Sequence, residues 1–122
     1  MVLKMKSAKE LRKIQDEFLE KSKTIDWLQK IASNIIEDIE YIENKLDIRI
    51  KSVSPMNEPD TDYWKMLSPK QEGCHISPGK IQSEIICSVR KAFDDKGLNH
   101  IIVAASDETS TERQINSYNL YS

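Results

Sequence analysis

His100-Ile101-Ile102-Val103-Ala104-Ala105-Ser106 is the stretch on which the fold turns. An unbroken apolar run this short, rich in β-branched residues, predicts a strand buried on both faces, as in parallel sheets. Upstream, Ser77 and Pro78 predict a helix start, with Ser77 as N-cap and Pro78 in the first helical position. That helix carries Ile81, Ile85, Val89 and Ala92 on one face, with Ile86 and Phe93 beside them. Gly97 is placed to end it in a left-handed cap, with Leu98 folding back. Further upstream, Ile48, Ile50 and Val53 sit among Arg49, Lys51 and Ser52, a short strand that Pro55 ends. Strand, helix and strand at this spacing predict a parallel pair joined by a right-handed crossover. Two parallel strands form a narrow sheet, so the pattern predicts a slice of a larger α/β structure.

Downstream, Asp107 and Glu108 close the second strand. Thr109 and Glu112 have capping-box spacing and open a further helix through Tyr118. At the other end, Leu11, Ile14, Phe18, Ile25, Leu28, Ala32, Ile35, Ile39, Ile42 and Leu46 recur in alternating steps of three and four, with Lys21 filling the one polar position. This is one face of a long amphipathic helix or helix pair. Thr24 is a candidate cap for a second helix, with Asp26 in its first turn. The stripe serves either as a buried packing face or as a self-association segment from Leu11 to Leu46. The expected organisation is an amphipathic helical segment over residues 1–46, then helix-flanked strands over 47–122.

Bulk composition excludes several classes. Of 122 residues, 39% are hydrophobic and 31% charged, with a net charge of -2. This is a globular balance, with no basic excess to attract nucleic acid or an anionic membrane. No apolar run approaches the roughly 20 residues of a membrane helix. Met1 to Lys6 lacks the apolar core of a signal peptide, so the expectation is an intracellular chain with reduced thiols. Cys74 and Cys87 make no disulfide framework. Cys74-His75 alone makes no metal site, and no cofactor is expected.

The polar residues that carry chemistry cluster where the strands end: Asn57, Glu58, Asp60, Asp62, Tyr63, Trp64, Gln71, Glu72 and His75 after the first, and Ser106, Asp107 and Glu108 after the second. In β/α barrels that carboxyl end holds the active site. In order, Val53-Ser54-Pro55-Met56-Asn57-Glu58-Pro59-Asp60, Tyr63-Trp64, and Gln71-Glu72-Gly73-Cys74-His75 before a Ser-Pro helix start resemble glycoside hydrolase family 30. The likeness is strongest to its endo-β-1,6-galactanase-like branch. Ala105-Ser106-Asp107-Glu108-Thr109-Ser110 and Asn116-Ser117-Tyr118-Asn119 resemble that branch too. The similarity runs from about Ile48 to Ser122. The resemblance implies a slice of a (β/α)8 barrel around its fourth and fifth strands, in the order helix, strand, helix, strand, helix.

It further implies a retaining O-glycoside hydrolase acting on a β-linked polysaccharide, of which β-1,6-galactan is the expected example. Glu58 matches the general acid/base, and Asn57 the asparagine that bonds the sugar 2-hydroxyl. Tyr63, Trp64, Asp107 and Glu108 are candidate substrate-binding residues. The family's nucleophile is a glutamate at the end of the seventh strand, to which no residue here corresponds. A full barrel takes at least about 200 residues. The isolated chain is therefore expected to be inactive, and its family relatives are expected to be exported. Bland readings stand beside these: Glu58 as a solvated loop residue, Trp64 as a loop anchor, and Asp107 and Glu108 as helpers of the helix start. The competing function is a non-catalytic helical interaction protein carrying a relic glycosidase segment.

Overall fold

The three-four spacing of apolar residues, with no Gly or Pro to interrupt it, produces one helix, α1 (Ala8–Leu46). The computed structural model describes residues 8–64, 67–69 and 73–121, with the side chains at 8, 10, 11, 14, 15, 18, 19 and 22 outside that description. Leu11, Ile14 and Phe18 of the stripe therefore lie outside the described side chains. No break occurs at Thr24, contrary to the sequence expectation. Its hydroxyl donates back to the Glu20 carbonyl at 3.0 Å, which keeps it inside the helix rather than at a cap. Leu28, Ala32, Ile36 and Ile39 are buried, whereas Ile25 and Leu46 are exposed.

Two short strands follow, β1 (Ser52–Val53) and β2 (Ile102–Val103), paired in parallel with Ser52 opposite Ile102 and Val53 opposite Val103. Ile102 N–H donates to the Lys51 carbonyl and Ala104 N–H to the Val53 carbonyl, both at 2.9 Å. β1 is shorter than the Ile48–Val53 pattern suggests. Ile50 N–H goes instead to the Glu43 carboxylate of α1 at 3.0 Å, so the ladder begins later. The crossover between the strands is α2 (Lys80–Asp95). It packs on α1, and Ile85, Val89 and Phe93 join Leu28, Ala32, Ile36, Ile39, Met56 and Ile101 in one core.

The apolar run at 101–105 is not buried on both sides. Ile101 is 0% exposed, whereas Ile102 is 65% exposed. Side chains alternate across a strand, and the helices cover one face only. Two helix starts also differ in detail. α2 is capped by Gly79 at φ 118, not by Ser77, and no side chain caps it. The Ser77 hydroxyl is engaged with His75 Nε2 at 3.2 Å, and Gly79 supplies a turn that L-residues rarely adopt. The buried face of α2 includes Gln82, while Ile81 is half exposed. The far end matches expectation: Gly97 has φ 73, Leu98 N–H donates to the Phe93 carbonyl at 2.8 Å, and Gly97 N–H to that of Asp94 at 3.2 Å. Those are the two bonds of a Schellman cap.

α3 (Thr111–Asn119) is capped by Ser110 rather than Thr109, its side chain accepting from Arg113 N–H at 3.3 Å. The described residues thus form three helices and a two-stranded parallel sheet, a mixed α/β arrangement in the order helix, strand, helix, strand, helix. No helix among them is long and apolar enough to cross a membrane.

Candidate active site

β1 and β2 run side by side, so the loops leaving their carboxyl ends emerge together. The bond that joins them is Glu58 N–H to the Asp107 carbonyl, at 2.9 Å. Both residues have positive φ, 43° for Glu58 and 57° for Asp107, a region few L-residues occupy. Asp107 thus contributes its backbone, and its side chain is exposed.

Glu58 is the hub of the first loop. Its carbonyl accepts from Thr61 Oγ1 at 2.8 Å and from Trp64 Nε1 at 2.9 Å. Its carboxylate Oε2 accepts from the Tyr63 hydroxyl. Tyr63 and Trp64 meet edge to face, with ring centroids 4.8 Å apart. Gly73 closes against them: a Cβ there would lie 2.9 Å from Trp64 Cε2 and 3.1 Å from the Asn57 carbonyl oxygen. Asn57 itself is exposed beside Glu58. Gln71 and Glu72 lie outside the described residues. His75 Nδ1 lies 2.9 Å from the Thr61 carbonyl. A carbonyl only accepts, so Nδ1 carries the proton and Nε2 receives the Ser77 hydroxyl. Cys74 and Cys87 are both exposed free thiols. Among the described residues no cluster of His, Cys, Asp and Glu is arranged to hold a metal ion.

Glu108 faces inward. Its Oε1 accepts from Ser106 at 3.2 Å and Ser117 at 3.0 Å, and Oε2 lies 3.4 Å from Asp60 N. Ser106 and Ser117 are both 0% exposed. The Glu108 N–H in turn donates to Gln114 Oε1 at 3.2 Å, and Gln114 Nε2 to the Ala105 carbonyl at 2.9 Å. Glu108 therefore ties the second strand end to α3 and to the Glu58 loop. Arg113 reaches across to the Asp60 carbonyl and lies 3.5 Å from its carboxylate.

The sequence reading placed Ser106 in the strand-end cluster and Ser117 within the resemblance but gave neither a role, and nothing in it singled out Gln114, Arg113 or Thr61. Isolated Ser and Thr carry no spacing signal, and their partners are close only once α3 folds back on the strand end. An open cleft of about 1630 Å³ lies elsewhere: Trp27, Leu28, Ile76 and Ile81 line it between α1 and the start of α2. Cys74, His75, Ile76 and Ser77 at the far end of the loop line it, whereas Glu58, Tyr63 and Trp64 do not, so size does not mark the chemistry. A smaller open cavity of about 540 Å³ adjoins Tyr63.

Comparison with protein-family models, with curated proteins and with solved structures finds no match. The reading of the strand-end cluster therefore rests on its residues and their geometry.

Proposed function

We propose that this chain carries the acid/base half of a retaining glycoside hydrolase site, with Glu58 as proton donor to the leaving oxygen. The observation that carries the reading is the setting of Glu58 at the carboxyl end of a parallel strand. There its backbone is held by Asp107, Thr61 and Trp64 while its carboxylate meets the Tyr63 hydroxyl. A loop glutamate with no role has no need of so many backbone restraints, whereas a general acid must be held within hydrogen-bond reach of one oxygen.

The mechanism follows from that placement. In the first step the glycosidic C–O bond breaks, the Glu58 carboxyl gives its proton to the departing oxygen, and a second carboxylate attacks the anomeric carbon. In the second step the Glu58 carboxylate takes a proton from water as that water replaces the enzyme carboxylate. Tyr63 O–H suits the ionised form of Glu58 between the two steps. Asn57, exposed beside it, is placed to bond a ring hydroxyl, and the Tyr63–Trp64 pair offers an aromatic face with polar edges. The expected substrate is a β-linked polysaccharide, and β-1,6-galactan is the first to test. The second carboxylate, about 5–5.5 Å from Glu58 in a retaining site, is not assigned to any residue here.

The test is activity in a barrel completed with the remaining strands of a family 30 galactanase. Glu58→Gln is expected to lower galactan hydrolysis about 10²–10⁴-fold. An aryl galactoside with a very good leaving group should lose much less in its first step, since it needs no proton. Unchanged galactan hydrolysis in Glu58→Gln would show the assignment to be wrong. The 122-residue chain alone is expected to show no turnover on either substrate.

A further inference from the structure

We infer that Ser77 and His75 form a second, separate site, a nucleophile and its general base, which hydrolyses carboxylic esters with an apolar acyl group. The site stands apart from the Glu58 reading and does not depend on it.

Three groups are joined in a row. The Ser77 hydroxyl donates to His75 Nε2 at 3.2 Å, and His75 Nδ1 donates to the Thr61 carbonyl at 2.9 Å. That carbonyl fixes the tautomer that leaves Nε2 free to take a proton, the orienting task a carboxylate performs in the commoner triads. Thr61 is itself fixed, 5% exposed, with its hydroxyl donating to the Glu58 carbonyl at 2.8 Å. The segment that carries the pair is pinned between them, Ile76 N–H donating to the Pro59 carbonyl at 2.9 Å. A hydroxyl within hydrogen-bond reach of a base, and a base held by a third group, is the arrangement that activates a serine.

The surroundings give the substrate class. His75 and Ser77 are both exposed, and both line the open cleft between α1 and α2. Trp27, Leu28, Ile76 and Ile81 form its apolar part, with Trp27 and Ile81 left about half exposed. An ester carbonyl at Ser77 can therefore lay its acyl chain on apolar surface. α2 begins three residues after Ser77 and no side chain caps it, which leaves backbone N–H groups of its first turn for a developing oxyanion.

The chemistry balances with water as the only co-reactant. Ser77 Oγ bonds to the ester carbonyl carbon as its proton passes to His75 Nε2. The C–O bond to the alcohol then breaks, and the alcohol leaves with that proton. Water, deprotonated by His75, attacks the acyl-serine in the same way. The acid departs, and the proton returns from His75 to Ser77 Oγ.

The full chain is assayed on p-nitrophenyl octanoate and p-nitrophenyl acetate, and is treated with a fluorophosphonate whose attachment point is mapped by peptide mass. Turnover is expected on both esters, with the lower KM for the octanoate, and the label on Ser77. Ser77→Ala should bring hydrolysis down to the rate of the ester in buffer, with helical circular dichroism retained. His75→Ala should lower kcat/KM about 10²–10⁴-fold, the usual contribution of a general base, and abolish labelling. Trp27→Ala should raise the KM for the octanoate more than for the acetate. Hydrolysis that survives in Ser77→Ala but not in His75→Ala would show an imidazole acting alone and overturn the assignment. A label on Cys74 instead of Ser77, or no hydrolysis above the buffer rate, would overturn it too. If His75→Ala unfolds, Ser77→Ala and the position of the label still decide. None of these outcomes touches the separate galactan test on Glu58→Gln.

Discussion

Glu108 shows what a carboxylate does when its oxygens are turned into the protein. Two buried serines donate to it, and Ser106 also meets the Tyr121 hydroxyl. Glu108→Ala would leave the buried Ser117 hydroxyl without its carboxylate, at about 1–3 kcal/mol before relaxation, and would leave Ser106 with Tyr121 alone. Water entering the space would offset part of that. The expected outcome is a loss of about 2 kcal/mol in denaturant-unfolding stability with the slope unchanged. Glu108→Gln should lose less, since an amide oxygen still accepts from one serine. If Glu108 instead faced a substrate, its removal would leave stability nearly untouched. Glu58 contrasts with it at the same scale, because there the backbone is restrained and the carboxylate meets the hydroxyl of a neighbouring tyrosine.

At the scale of elements, the join between α2 and β2 is the best-defined feature. Gly97 has φ 73, and the space where a Cβ would stand is open. The cost of Gly97→Ala is therefore backbone strain alone, about 1–2 kcal/mol, with no clash added. Thermal melts of the two proteins should differ accordingly, and equal melting temperatures would mean that the cap is not formed. Phe93→Ala, at a side chain 0% exposed in the α1–α2 core, should cost more, about 3–5 kcal/mol.

Tyr121 fastens the segment after α3 to α2, its hydroxyl donating to Gln82 Oε1 at 2.8 Å. Burial pushes its ionisation above the ordinary range, the hydrogen bond with Ser106 opposes this, and the Glu108 charge adds to the rise. A tyrosine whose folded pKa is raised stays protonated in the native state after the unfolded chain has ionised. Its stabilisation is thus present below about pH 10 and is lost as pH rises through the folded value. Lys91, raised by its hydrogen bond to Asp95, acts in the same window but is fully exposed. Stability measured from pH 9 upward should fall less steeply in Tyr121→Phe than in the parent chain. Parallel curves would place the Tyr121 hydroxyl in water.

For the whole molecule, the sheet is the weak point. Two parallel strands leave an open edge on each side, and Ile102 at 65%, Ile48 at 54% and Tyr41 at 62% exposure add apolar surface. Such edges and surfaces associate with other chains. α1, about 58 Å long, also extends well past α2, at about 24 Å. The purified chain is expected to run above monomer mass in light scattering. Ile102→Lys should shift it toward the monomer without loss of helical circular dichroism. A parent chain that is monomeric at all concentrations would show these surfaces to be tolerated.

Periodicity and punctuation determined the elements of this protein. Ten apolar positions without Gly or Pro required α1, the run at 101–105 required a strand, and Gly97 required the end of α2. Local signals also brought Asn57, Glu58, Tyr63 and Trp64 together, because they lie within one loop after one strand. What the tertiary structure alone decided is less local. Burial of one face of β2 depends on where the helices lie, which alternation within a continuous apolar run cannot reveal. The caps moved by one or two residues: the turn into α2 is made at Gly79, whose φ of 118 an L-residue rarely adopts, and at α3 it is Ser110 whose oxygen lies where Arg113 N–H can donate to it. The inward turn of Glu108 and the reach of Arg113 to Asp60 exist only because parallel pairing sets two loops, some fifty residues apart, against each other. Contacts of that span carry no spacing signal in the chain, and it is they that give the strand-end cluster its shape.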